Sequence, residues 1–145
     1  MSHIRPAGPD DLGRIAEIEI FNYRLNFYPL FKSDWFYFQE LQVTRRMEHY
    51  RKHLGELYVY DDGIIKGFFH LRGEELVKLF VEPAFQSGGI GAQLFAHAVN
   101  LGARYLWALE KNLRGIRFYQ NQGFTLSGEK KEEPGTPLYL VQLVK

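Results

Sequence analysis

A strand that runs directly into a glycine-rich turn and then a helix is the feature that most constrains this chain. The turn reads Gln86-Ser87-Gly88-Gly89-Ile90-Gly91-Ala92. An apolar run ending at Val81 precedes it, and apolar residues at helical spacing follow it. Glycines let backbone N–H groups approach a ligand closely, and a helix N-terminus carries about half a positive charge. The segment therefore suits a pyrophosphate group.

The glycines alone leave a plain strand-to-helix turn open as an equal alternative. Two other phosphate-binding motifs are excluded by the residues that follow. Leu94 stands where the dinucleotide-binding fingerprint has its third glycine. No Gly-Lys-Ser/Thr run follows either, so the turn is not a nucleotide P-loop.

The remaining pattern predicts an α/β fold built on a mixed sheet. We expect one helix to begin at Pro9-Asp10-Asp11 and another to run from near Ser33, capped by Ser33 or Asp34, to His53. Strands are expected at 57–60 and 64–71, which flank the hairpin signal Asp61-Asp62-Gly63, and then at 76–81, 105–109, 124–126 and 138–144. Helices are expected from about residue 89 and over 112–122. No repeat or linker divides the chain, so residues 1–145 are expected to form one domain.

The composition excludes several classes of function. Eighteen Lys and Arg residues nearly cancel 17 Asp and Glu residues, so we expect no nucleic-acid partner. Cysteine is absent, which rules out disulfides and thiolate metal sites. No stretch approaches the roughly 20 apolar residues of a membrane span, and the first residues lack a signal core. We therefore expect a cytoplasmic protein without a membrane partner.

A second motif lies downstream, in the order Asn112-x-x-Gly115-x-x-Phe118-Tyr119-x-x-x-Gly123-Phe124. Together with Val81-x-Pro83 and Gln86-x-x-Gly89-x-Gly91, it resembles the GNAT superfamily of N-acetyltransferases over nearly the whole chain. Gly115 departs from the pattern, because alanine is commoner there. The resemblance implies six or seven strands, four main helices, and a parallel central pair, ending near Val81 and Leu109, that is splayed apart.

The resemblance also implies that acetyl-CoA binds as the acyl donor. Its diphosphate would lie on the backbone of the turn, and its pantetheine arm would pair with the preceding strand, where a backbone N–H is the expected oxyanion donor. Asn112 is a good helix N-cap, and contact between its side chain and the donor is equally open. The implied donor-binding residues are Leu79, Phe80, Val81, Gln86, Ser87, Gly88, Gly89, Ile90, Gly91, Ala92 and Asn112.

Tyr119 is the implied acid, which we expect to protonate the departing thiolate without special tuning of its pKa. The alternative is that it only packs beside Phe118. The base is harder to place, because Trp107 stands where some relatives that act on protein N-termini carry a glutamate. Glu75 is the first candidate and His70 the second; both also fit solvated hairpin residues, which is the favoured interpretation for His70. His49-x-x-x-His53 has no third ligand nearby in sequence, so no metal site is expected.

Residues 21–38 contain nine of the 23 aromatic residues in the chain. In the superfamily this region covers the acceptor side of the active site, where aromatic rings suit an amine. Most of these rings are expected to form core or a homodimer surface. Tyr23, Arg24 and Tyr28 are the ones expected to face the acceptor.

Two functions follow from these features. The first is an N-acetyltransferase that transfers an acetyl group from acetyl-CoA to a primary amine by direct attack in a ternary complex. The acceptor would be a small molecule or a protein amine. The second is a non-catalytic acyl-CoA-binding sensor or interaction module, which the uncertain base leaves open.

Overall fold

A computed structural model describes residues 2–27 and 41–145 as a mixed seven-stranded sheet with helices on both faces. The strands are β1 (Ile4–Pro6), β2 (Leu57–Asp61), β3 (Ile65–Arg72), β4 (Glu75–Val81), β5 (Tyr105–Leu109), β6 (Thr125–Glu132) and β7 (Tyr139–Val144). The helices are α1 (Leu12–Asn22), α2 (Val43–Arg51), α3 (Ile90–Asn100) and α4 (Leu113–Asn121). The predicted α/β class, strand number and four main helices are confirmed.

The sheet consists of two antiparallel halves joined by one short parallel contact. Its order is β1-β2-β3-β4-β5-β7-β6, and only β4 and β5 run parallel. These two strands pair at Glu75 and Tyr105 alone, next to hydrogen bonds from the N–H groups of Arg104 and Tyr105 to the Glu74 carbonyl at 2.8 and 3.2 Å. Beyond that point they separate, so the predicted splay of the parallel pair is confirmed.

Each face of the sheet has its own hydrophobic core. On β3, Phe68 packs with the α1 and α2 cluster, whereas Phe69 packs with the α3 cluster around Leu94 and Phe95. Both phenylalanines are fully buried. Successive side chains of a strand point to opposite faces, so one strand supplies both cores. This packing fixes β3 and β4 and thereby the wall of the gap between β4 and β5.

The structure differs from the sequence expectations at the element ends and at the N-terminus. Strand β1 was not predicted, because three residues that end in a proline carry almost no strand signal. Strand β6 continues to Glu132, six residues beyond its predicted end, since an exposed strand has no apolar pattern to reveal it. Helix α1 continues into a π-helical turn at Tyr23–Phe27. The expected caps Ser33 and Asp34 lie outside the described residues, and α2 is described from Val43.

Among the described residues, no helix is both long enough and apolar enough to cross a membrane.

Candidate functional site

The gap between β4 and β5 opens into a cavity of about 1230 Å³. Most of the residues expected to form the site line it. Those residues are Tyr23, Glu75, Leu79, Phe80, Val81, Gln86, Ser87, Gly89, Gly91, Ala92, Asn112 and Tyr119. Gly88 and Ile90 do not line it; Ile90 is buried in the core below the turn. Arg24 is exposed outside the cavity wall, and Tyr28 lies outside the described residues.

The glycine turn has a strained backbone at one edge of this cavity. Ser87 has a φ of 71° and Gly89 a φ of 86°, both in the left-handed region. A serine rarely adopts this conformation, and such strain concentrates at functional sites. Helix α3 begins directly afterwards at Ile90, with Gly89 as its N-cap. The first N–H groups of the helix therefore have no acceptor within the helix.

Gly91 is not required by the packing of the chain itself. A Cβ built there would lie 3.5 Å from the Phe118 ring and 3.7 Å from Val81, which are ordinary contact distances. Gly88 behaves in the same way, at 3.6 Å from the Phe85 carbonyl. A turn that needed glycine only for its own fold would require it at Gly89 alone. Gly91 also lines the cavity, so its glycine favours a ligand close to the backbone over the plain-turn alternative.

Gln86 holds the turn in place through its side chain. Its Nε2 donates to Asn22 Oδ1 at 3.0 Å and to the Val81 carbonyl at 3.1 Å, while Arg114 donates to its Oε1 at 3.3 Å. Asn22 also donates to the Val81 carbonyl, at 2.9 Å, and is buried. These bonds join the end of α1 to the end of β4. Asn22 was missed in the sequence, because a polar residue at a helix end carries no signal of its own.

Asn112 acts as the predicted N-cap. Its Oδ1 accepts a hydrogen bond from the Gly115 N–H at 3.1 Å, and the side chain also lines the cavity. A Cβ at Gly115 would lie 2.5 Å from Asn112 Nδ2, closer than atoms can approach. An alanine at this position would therefore require the Asn112 amide to shift.

Tyr119 packs against neighbouring aromatic rings and also lines the cavity. Its ring lies 5.3 Å from that of Phe118 and 5.7 Å from that of Phe95, measured between centroids. Its hydroxyl makes no hydrogen bond within the described part of the chain. Burial raises the pKa of Tyr119 to about 12. The hydroxyl is therefore protonated at neutral pH and available as a donor.

The two candidate bases occupy different environments. Glu75 lines the cavity at its floor, where β4 meets β5. The interpretation of His70 as a solvated hairpin residue is wrong, because its side chain is only 1% exposed. It also does not line the cavity. Its Nε2 lies 2.7 Å from Glu56 Oε1, and burial lowers the pKa of His70. Glu75 is thus the only one of the two that reaches the site.

The histidine pair noted in the sequence is divided in the structure. His53, with Nδ1 3.3 Å from Glu56 Oε1, joins Glu56 and His70 in one cluster, and their ligand atoms lie within 4.8 Å of one another. The sequence could not show that His70 lies next to His53 and Glu56, because His70 is on a separate strand. His49 is not part of the cluster.

A buried ionic cluster forms part of the wall of the same cavity. Glu19 is fully buried on α1 and accepts hydrogen bonds from Arg46 Nε at 2.6 Å, Tyr50 OH at 2.5 Å and Lys78 Nζ at 2.5 Å. The pKa of Glu19 is lowered, because the two cations outweigh the effect of burial. Lys78 and Arg46 also line the cavity. Glu19 on an otherwise apolar helix face was the sequence signal that could have revealed the cluster.

Glu133 also lines the cavity, from the connection between β6 and β7. Burial raises the pKa of its carboxyl group, although Lys131 and Lys78 act in the opposite direction. Within the described residues it forms no ion pair. A half-buried carboxylate that no cation contacts directly is suited to a positively charged ligand.

Comparison with known proteins agrees with this geometry. Residues 53–126 match the family model described as an acetyltransferase (GNAT) domain. The peptidyl-lysine N-acetyltransferase YjaB of Salmonella typhimurium is 32% identical over 80 residues, which cover 54% of this chain and 55% of that protein. YjaB of Escherichia coli is 29% identical over 79 residues, covering 53% and 54%. The chain therefore spans about half the length of the curated relatives it matches.

Solved structures extend the likeness of the fold to the whole chain. The solution structure of apo-form YjaB from Escherichia coli has a TM-score of 0.77 at 24% identity and covers 97% of this chain and 95% of its own. A PaiA N-acetyltransferase from Thermoplasma acidophilum, crystallised in complex with coenzyme A, has a TM-score of 0.72 at 16% identity, with both chains fully covered.

Proposed function

The chain belongs to the GNAT acetyltransferase family, and on that premise we propose that it transfers an acetyl group from acetyl-CoA to a primary amine. The observation that carries the proposal is the cavity between β4 and β5, which has open backbone donors at one end and the Tyr119 hydroxyl in its wall. The names of the curated relatives support an amine acceptor. The coenzyme A complex of a protein with this fold supports the donor.

The donor half of the cavity fits a diphosphate and a pantetheine arm. We assign the diphosphate to residues 87–92, where the N-terminus of α3 favours negative charge and Gly91 leaves room for close approach. The edge of β4 that faces β5 has no strand partner beyond Glu75. Its backbone groups can pair with the amides of the pantetheine arm, and one N–H there can stabilise the oxyanion.

In the proposed reaction the neutral amine attacks the thioester carbonyl carbon, the C–S bond breaks, and the thiolate leaves. Tyr119 stabilises that thiolate by donating a hydrogen bond. Our expectation that Tyr119 needs no pKa tuning to protonate the thiolate is wrong. With a pKa of about 12, against about 8.5 for a thiol, full transfer is uphill by about 5 kcal/mol. A hydrogen bond from the Tyr119 hydroxyl to the sulfur becomes stronger as negative charge develops there, and it avoids the cost of full proton transfer.

Deprotonation of the acceptor is the second requirement. An alkylamine with a pKa of about 10.4 is almost entirely protonated at pH 7, whereas an α-amine near 7.8 is about one-tenth neutral. We assign Glu75 as the base that takes this proton, directly or through water, because it lies in the cavity floor. That first proton then leaves to solvent. The attacking nitrogen loses a second proton as the tetrahedral intermediate collapses to the amide, and the departing thiolate takes up one proton from solvent, so the products are an amide and free coenzyme A.

The experiment that tests the proposal is a screen of amine acceptors with purified protein, monitored by release of free thiol from acetyl-CoA. Turnover with at least one amine, together with mass-spectrometric detection of the N-acetyl product, is the expected result. Calorimetry with acetyl-CoA alone provides the control for donor binding. Tight donor binding without turnover on any amine would instead support the non-catalytic sensor.

A further inference from the structure

The ionic cluster in the cavity wall carries more positive than negative charge. Glu19 is one carboxylate between two cations, Arg46 and Lys78. The pKa of Arg46 and that of Lys78 are both raised in the neighbourhood of Glu19, so both side chains stay charged at neutral pH. Burial, together with Glu19, raises the pKa of Tyr50, which therefore remains neutral. Glu19, Arg46 and Lys78 together carry a net charge of +1, and Glu133, which interacts with Lys78 at longer range, forms no ion pair with either cation among the described residues.

Arg46 and Lys78 both line the cavity and retain hydrogen-bond donors that Glu19 does not use. Glu19 already accepts from three side chains, and its bonds to Arg46 use Nε and Nη2. Within the described residues, Nη1 of Arg46 and two of the three protons of Lys78 have no side-chain acceptor. The two side chains are 16% and 21% exposed, respectively. They can therefore reach a ligand, but water solvates them only in part.

The surroundings of the cluster select a small anionic group. The rings of Tyr23, Phe27 and Phe80 lie beside it, with Lys78 Nζ 5.7 Å from the Tyr23 centroid. A ligand that covered this wall without a negative charge would strip water from a net positive cluster, which is unfavourable. A carboxylate would accept hydrogen bonds from Arg46 and Lys78 and neutralise the excess charge.

We propose that the acceptor is a small molecule that carries both an amine and a carboxylate, such as a free amino acid, with its carboxylate bound by Arg46 and Lys78. The proposal rests on the function proposed above. Glu133 lines the same cavity and forms no ion pair among the described residues, so it offers a complementary place for the ammonium group. The side chain of a peptidyl lysine would bring an amine to this wall but no carboxylate.

The test uses pairs of acceptors that differ only in the carboxylate. Free amino acids are compared with their carboxamides, and lysine also with 1,5-diaminopentane, by thiol release under kcat/KM conditions. A charge-assisted hydrogen bond is worth about 1.5–3 kcal/mol, so we expect each acid to exceed its amide by roughly 10- to 150-fold. Calorimetry of the same pairs with protein saturated with coenzyme A measures carboxylate recognition independently of turnover.

Variants of α2 provide the matched control. Arg46→Gln should reduce the acid-to-amide ratio to near one, whereas Arg46→Lys should retain part of it because the charge remains. Arg51→Gln, the same substitution on the exposed face of the same helix, should leave the ratio unchanged. Thermal melts confirm folding, and a merely structural role would lower both rates without changing their ratio.

The outcomes separate the two proposals. Equal rates on acids and amides, or a preference for lysine peptides over free amino acids, would overturn the carboxylate proposal and leave the acetyltransferase function intact. Absence of turnover on every amine would refute the acetyltransferase function. In that case, equal calorimetric affinities for acid and amide would also exclude the carboxylate site, and a tighter acid would support it.

Discussion

Replacing Tyr119 by phenylalanine tests the chemistry of the cavity most directly. The substitution removes only the hydroxyl, and the ring contacts with Phe95 and Phe118 remain. The hydroxyl makes no hydrogen bond to the described residues, so its loss leaves no buried group without a partner. We therefore expect the variant to fold and to bind acetyl-CoA with unchanged affinity. The effect should be confined to turnover, where charge develops on sulfur.

The size of the effect follows from the proposed hydrogen bond. A bond to a charged group contributes about 1.5–3 kcal/mol, which corresponds to a loss of roughly 10- to 150-fold in kcat. Because burial raises the pKa of Tyr119 to about 12, the hydroxyl stays protonated throughout the assay range. The ratio of wild-type to variant rates should therefore be constant from pH 6 to pH 9.

Steady-state thiol release on the best acceptor from the screen is the assay, with KM for acetyl-CoA determined in parallel. Tyr139→Phe is the matched control, because Tyr139 is 41% exposed on β7 and does not line the cavity. Equal rates for wild type and Tyr119→Phe across the pH range would remove Tyr119 from the mechanism. A loss that appears only in KM for acetyl-CoA would assign the hydroxyl to donor binding instead.

Three further predictions concern donor binding and stability. Gly91→Asp should fold normally, since its Cβ meets only ordinary contacts. Its carboxylate would lie against the assigned diphosphate, so calorimetry should show acetyl-CoA affinity lowered by at least 10-fold. Unchanged affinity would refute the assigned diphosphate position. Gly67→Ala should lower the free energy of unfolding by about 1–3 kcal/mol in urea titrations, because its Cβ would lie 2.8 Å from a side chain of α3 and 2.9 Å from a β4 carbonyl. Gly13→Ala, with no atom within 4 Å, should instead raise it by up to about 1 kcal/mol, and the same sign for both alanines would contradict this packing argument. Finally, the pKa of His49 is lowered to about 4 and that of His70 is also lowered, both chiefly by burial. The unfolded chain therefore binds more protons below about pH 6.5, and stability should fall as the pH drops from there. His70→Gln should flatten that dependence between pH 6.5 and 5, and a profile identical to the wild type would refute the assignment.

The glycine turn and the helix cap, to which we assign the donor, could be predicted from sequence because their parts are local. Gln86, Gly89 and Gly91 lie within six residues of one another, and the turn conformation they require is set by neighbouring φ and ψ angles. Asn112 and Gly115 form a cap within one helical turn, so their spacing also determines their contact. For the same reason, the spacing of apolar residues along the chain indicated whether most segments form a helix or a strand. Ends of exposed or very short strands carried no such pattern, and the extent of β6 and the presence of β1 were missed.

The sequence by itself therefore determined the glycine turn, the capped helix that carries Tyr119, and the α/β order of the elements. Only the tertiary structure brought together the ionic cluster that we propose as the acceptor half. Glu19, Arg46 and Lys78 lie on α1, α2 and β4, and no spacing along the chain relates them. Their charges meet because α1 and α2 pack together against the sheet. Local conformational preferences act between near neighbours, whereas a buried ionic cluster depends on which distant side chains the packed core brings within hydrogen-bonding distance.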